Sequence, residues 1–148
     1  MNVTKKKYRY IEEGYGIEEM RKENARWFSE LNFARDEQLF LNDLVKAQTV
    51  LLTDATIFEE SKGVVIEILH WEKEIISLMK QVQAHQNRLE IMLDGSDRPV
   101  METAYVETHK KLLSDVDHYM AEYRTVKRKL FDLVSRIMKK DKQKRLLT

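Results

Sequence analysis

A chain of 148 residues with ordinary apolar content is long enough to bury a core of its own, and its length suits a single domain. Its 26 lysines and arginines nearly cancel its 25 aspartates and glutamates, which argues against a polyanion-binding protein, and one proline and four glycines leave little material for strands or loops. With no cysteine, disulfides, thiolate metal sites and cysteine nucleophiles are excluded, and the redox compartment stays open.

Residues 1–16 carry Lys5, Lys6, Lys7, Tyr8, Arg9 and Tyr10 without a helical period, so a flexible basic and aromatic arm is expected. No apolar h-region follows the basic run, and no window approaches the roughly eighteen uncharged apolar residues of a membrane span. On these grounds the chain reads as soluble and cytoplasmic.

The first helix is expected over residues 17–52. Glu18 and Glu19 fall in its first turn, where negative charge favours the helix dipole. Trp27, Leu31, Ala34, Leu41, Val45 and Leu52 form a seam, and Phe33, Phe40, Leu44, Ala47 and Leu51 widen it. Two adjacent stripes predict packing against two neighbours at once. The chain must then reverse. Either Asp54 caps a helix that runs straight on through Ile57 and Phe58, or Ser61 caps a helix that starts at Lys62 with residues 53–60 as a connection; a four-element variant has residues 54–61 as a separate short helix.

The second helix, residues 62–93, has the clearest pattern. Val64, Ile68, Trp71, Ile75, Leu78, Val82, His85, Leu89 and Met92 recur at alternating steps of four and three, the interval of a coiled-coil seam. Gly95 closes it, Ser96 or Asp97 caps the next, and Pro99 suits a first helical turn. A third helix over residues 98–140 repeats the interval through Tyr105, His109, Leu112, Val116, Tyr119, Tyr123, Val126, Leu130, Leu133 and Ile137. Val106, Leu113, Met120 and Val134 flank that seam. A basic tail, 141–148, follows.

These patterns predict an all-α protein: an antiparallel up-down-up three-helix bundle with coiled-coil-like packing over residues 17–140. Leu69 and Ile76 on the second helix, and Phe131 and Met138 on the third, lie outside the seams. They are candidates for a surface that meets a protein partner or a second copy of the chain.

No catalytic motif is present: there is no phosphate loop, no nucleophile elbow and no serine placed beside a histidine and an acid. Glu67-Ile-Leu-His70 matches half of a two-metal bundle motif, and His70 with Glu74 and His118 with Glu122 share helix faces. Both histidines, however, precede a seam position and should point outward. His85 and His109 sit on seams, and folding about residue 97 brings them level. Counting on to the first helix places Trp27 and Glu30 nearby. A polar layer of His85, His109 and a carboxylate, Glu30 or Glu107, is expected to fix register, or alternatively to hold a metal or sense pH. The reading from sequence is therefore a non-catalytic interaction or assembly module without cofactor, with no nucleic-acid partner. Its rival is a metal-binding bundle centred on His85 and His109.

Overall fold

The computed structural model describes residues 16–94 and 98–147, with the backbone alone for 98–100. The expected arm at 1–16, apart from Gly16, the Gly95, Ser96 and Asp97 turn, the Pro99 side chain and Thr148 lie outside the described residues. Among the described residues four helices make an all-α bundle: α1 (Ile17–Ala47), α2 (Thr49–Leu52), α3 (Phe58–Asp94) and α4 (Arg98–Leu147).

The helix ends follow from local chemistry. α1 opens with Glu18 and Glu19 in its first turn, and the Met20 amide donates to the Gly16 carbonyl at 2.9 Å. It ends five residues before the expected position, because Thr49 intervenes. The Thr49 hydroxyl donates to the carbonyls of Val45 and Lys46, at 3.1 and 2.9 Å, and so competes with the backbone ladder. Gln48 turns out of helical geometry at φ −104° and ψ 13°, its amide shared between Leu44 and Val45. The short extra helix accordingly falls at Thr49–Leu52, ahead of residues 54–61.

Asp54 organises the reversal. Its Oδ1 accepts from the Thr56 amide at 2.9 Å and from the Thr56 hydroxyl at 2.7 Å, and these bonds hold its carboxyl below the usual range. α3 then starts at Phe58, not at Lys62. Ser61 is no cap, since its amide donates to the Ile57 carbonyl inside the helix. α4 runs on past residue 140 to Leu147. Its last turns bury no seam, but they are built of good helix formers, Asp141 pairs with Arg145 at 2.9 Å, and Lys144 and Arg145 suit the negative end of the dipole.

The packed chain divides into two compact units, the first of described residues to Phe33 with Ile76–Asp117, the second of Ala34–Ile75 with His118–Thr148. In the first, Met20, Leu89, Met92, Tyr105 and Val106 form a buried cluster with Ile17, Leu93 and Met101 against it. In the second, Leu41, Ile68, Ile75, Val126, Leu130 and Leu133 are buried. Two ion pairs there, Glu67 with Lys129 and Glu60 with Arg136, give the antiparallel register of α3 and α4.

Every seam position of α4 is buried, and every one of α3 except Trp71, which is half-buried. The wide stripe of α1 requires correction. Phe33 and Phe40 are 68% and 58% exposed, Ala47 is exposed, and only Leu44 and Leu51 are half-buried. The α1 seam runs Met20, Asn24, Trp27, Leu31, Ala34, Gln38, Leu41, with two polar residues on it, so a single seam meets both neighbours.

Candidate functional site

In the first unit α1, α3 and α4 each place polar side chains at one level. His85 from α3 and His109 from α4 are 2% and 0% exposed, and Nε2 of the former lies 2.9 Å from Nδ1 of the latter. Nε2 of His109 lies 3.3 Å from Oε1 of Glu23 on α1. A carboxylate only accepts, so His109 carries its proton on Nε2. Its Nδ1 is then the acceptor, and His85 donates to it through Nε2–H. The chain of donation runs from His85 through His109 to Glu23. It leaves Nδ1 of His85 as a buried acceptor with no hydrogen-bond partner among the described residues.

Aromatic rings enclose this chain. Tyr105 stacks on His85 with centroids 3.9 Å apart and planes 4° from parallel, and Trp27 lies 4.6 Å from His109. Asn24 donates to the Tyr105 hydroxyl at 2.7 Å. Burial pulls His85 down to about 3, helped by the repulsion a protonated His109 would exert and by the positive charge of Arg88. Burial also lowers His109, although the hydrogen bond and charge of Glu23 pull the other way. Both rings are therefore neutral near pH 7. Burial pushes the Tyr105 hydroxyl up to about 12.

The structure thus brings His85, His109 and Trp27 together, but not the carboxylates named from sequence. Glu30 pairs with Arg26 at 3.8 Å and Glu107 with Lys110 at 3.7 Å, both in exposed ion pairs. The carboxylate at His109 is Glu23, seven residues before Glu30 and so on the same face of α1 two turns earlier. The count across two reversals was long by one heptad. His70 and His118 are exposed and lie against Trp71, with ring centroids at 4.8 and 6.0 Å.

A second polar layer occupies the second unit. Gln38 donates to the Tyr119 hydroxyl at 2.5 Å, and that hydroxyl donates to the Trp71 carbonyl at 3.3 Å. The Tyr123 hydroxyl and the Lys127 ammonium both donate to Oε1 of Glu37, each at 2.9 Å, with Lys127 over the Tyr123 ring. Burial raises Tyr119 and Tyr123, and it also raises the half-buried Glu72, whose hydrogen bond with Asn42 opposes the shift.

The two layers follow one pattern. Asn24 with Tyr105 and Gln38 with Tyr119 are both 81 residues apart, and Glu23 with His109 and Glu37 with Tyr123 are both 86 apart. In the sequence the residues of one layer follow those of the other at a shift of two heptads, with Trp71 at the position that corresponds to His85. Glu23, Asn24, Glu37 and Gln38 were not singled out from sequence. The signal was present: Asn24 and Gln38 occupy α1 seam positions, where a polar residue calls for a buried partner.

Hydrogen bonding, not ligation, describes the histidine pair. Two nitrogens on one tetrahedral ion at ~2.0–2.1 Å would stand roughly 3.3 Å apart with both lone pairs aimed at the metal. Here the nitrogens face each other at 2.9 Å. Among the described residues no three His, Asp or Glu groups lie close enough to hold an ion.

Outside the layers, the four apolar residues named from sequence are open to solvent: Leu69 at 47%, Ile76 at 53%, Phe131 at 40% and Met138 at 50%. Among the described residues no helix is long and apolar enough to cross a membrane. No protein-family model, no curated protein and no solved structure matches the chain.

Proposed function

We propose that this chain is a non-catalytic assembly module, a helical bundle that offers apolar helix faces to a second copy of itself or to another helical protein. The observation that carries this reading is the spacing of its exposed apolar side chains. Leu69 and Ile76 on α3, Phe131 and Met138 on α4, and Phe33 and Phe40 on α1 are pairs seven residues apart, so each pair lies on one face of its own helix. Scattered apolar residues on a surface need no explanation, whereas residues repeating at two-turn intervals on a helix make a strip that water solvates poorly. Partner recognition by helices uses the same spacing.

The buried chemistry supports the same reading. The titratable groups of the two layers are paired with one another and packed against aromatic rings. Such layers fix which helix faces which, and in what register. A metal-binding role for His85 and His109 has less support, since their separation is that of a hydrogen bond.

Light scattering over a wide concentration range tests the proposal, run on the purified chain alone and after recovery from native lysate under mild conditions. A mass above that of one chain is expected, falling to the monomer in a Leu69→Ser, Phe131→Ser double variant that keeps its helical circular dichroism. A strictly monomeric chain with no co-purifying partner overturns it.

A further inference from the structure

One exposed region has a shape and a charge that specify more about its occupant. Where Gln48 turns the chain out of α1, Ala47, Val50 and Leu51 face the last turns of α4 across an open cleft of about 720 Å³, with Met138, Lys139, Asp141, Lys142 and Arg145 on the other side. The cleft lies wholly within the second unit. Val50 is 84% and Met138 50% exposed, so the lining presents apolar side chains to water from both α2 and α4. Lys139, Lys142 and Arg145 against the single Asp141, which pairs with Arg145, leave the rim positive.

We infer that this cleft docks an amphipathic helix of a partner protein whose apolar face carries flanking carboxylates. The inference rests on the reading of the chain as an assembly module and names the partner for one of its surfaces. Apolar side chains exposed on both sides of a groove take the i, i+3, i+4 and i+7 side chains of a helix laid into it. A positive rim selects acidic flanks, because like charges across an interface are repelled and opposite ones speed and orient encounter. Methionine suits such a lining, since its unbranched side chain repacks around different anchors. A flat anionic lipid surface offers the same charge but no ridge to fill the cleft.

The test is fluorescence anisotropy with the full chain and a labelled three-turn-or-longer peptide, leucine at i, i+3, i+4 and i+7 and glutamate on the flanks. Its twin has lysine at every glutamate. Saturable binding of the glutamate peptide is expected, at least about tenfold tighter than its twin and weakening with added salt. Met138→Glu and Lys142→Glu should each cost about tenfold, and both positions are exposed, so unchanged melting will show that the variants fold. Leu69→Ser, outside the cleft, should bind the peptide as the parent does. Equal binding of the two peptides, or indifference to Met138→Glu, overturns the inference. So does peptide binding that is lost as the chain concentration rises into the range where the chain self-associates, which assigns the cleft to a second copy, or Met138-dependent binding to phosphatidylserine vesicles without peptide binding. Peptide failure with assembly intact refutes the cleft assignment alone; a parent chain that stays monomeric with no co-purifying partner refutes the wider proposal.

Discussion

His85 donates its Nε2 proton to Nδ1 of His109 in a layer sealed by Tyr105 and Trp27, and the pair is neutral because neither ring is solvated well enough to carry charge. Two imidazoles so placed form a register pin that depends on their protonation. In the alternative state, with both rings charged, the donor at His85 would face a second donor at His109.

The pH dependence follows from that neutrality. His85 titrates at its ordinary 6.5 when the chain unfolds and near 3 when folded, so above 6.5 neither state binds the proton and the full stability is present. As pH falls below 6.5 the unfolded chain takes up protons that the folded chain refuses, at about 1.4 kcal/mol per pH unit for each such histidine. Urea unfolding should show about 2 kcal/mol less stability at pH 5 than at pH 7, and the loss should shrink in His85→Leu. Equal stability of the parent at both values would contradict the neutral pair.

Glu23 and Glu30 separate the observed layer from the one counted from sequence. Glu23→Ala removes the acceptor for His109 Nε2–H and should cost about 1–2 kcal/mol. Glu30→Ala loses only an exposed pair with Arg26 and should stay within about 0.5 kcal/mol of the parent. Thermal unfolding of the two variants side by side measures the contrast.

The second layer gives a matched experiment. Tyr119→Phe strands the buried amide of Gln38 and should cost about 1–3 kcal/mol, whereas Gln38→Leu with Tyr119→Phe together should recover part of that loss, since both polar groups then leave the core. A double-mutant cycle by chemical denaturation reads the coupling. Additive losses would mean that the two side chains do not depend on each other.

Ser61 predicts the opposite sign. It is buried within α3, 3% exposed, and its hydroxyl has no hydrogen-bond partner among the described residues. Ser61→Ala removes an unsatisfied polar atom and adds helix propensity, so the melting temperature should rise, by an amount corresponding to about 0.5–1 kcal/mol.

What could be read in the sequence was whatever the seam interval controls. The all-α bundle, the burial of the α4 seam and the meeting of His85 with His109 all follow from counting steps of four and three. The interval carries no information about a helix that continues without a buried seam, so the last turns of α4, held by propensity and the Asp141–Arg145 pair, were missed. It is equally blind to the Thr49 hydroxyl that interrupts α1. Counting also loses accuracy at each reversal, which is why Glu30 stood in for Glu23. The outward turn of Phe33 and Phe40 was hidden for another reason. An apolar stripe looks the same in sequence whether it meets a neighbouring helix in the same chain or a partner outside it.

Side-chain footprinting with hydroxyl radicals tests the assembly module most directly, comparing dilute purified chain with concentrated chain and with chain in native lysate. The account predicts that Leu69, Ile76, Phe131 and Met138 react readily when dilute and lose reactivity at high concentration or in lysate, while buried Leu130 and Val82 stay unreactive throughout. Equal reactivity of those four exposed residues under all three conditions would contradict it.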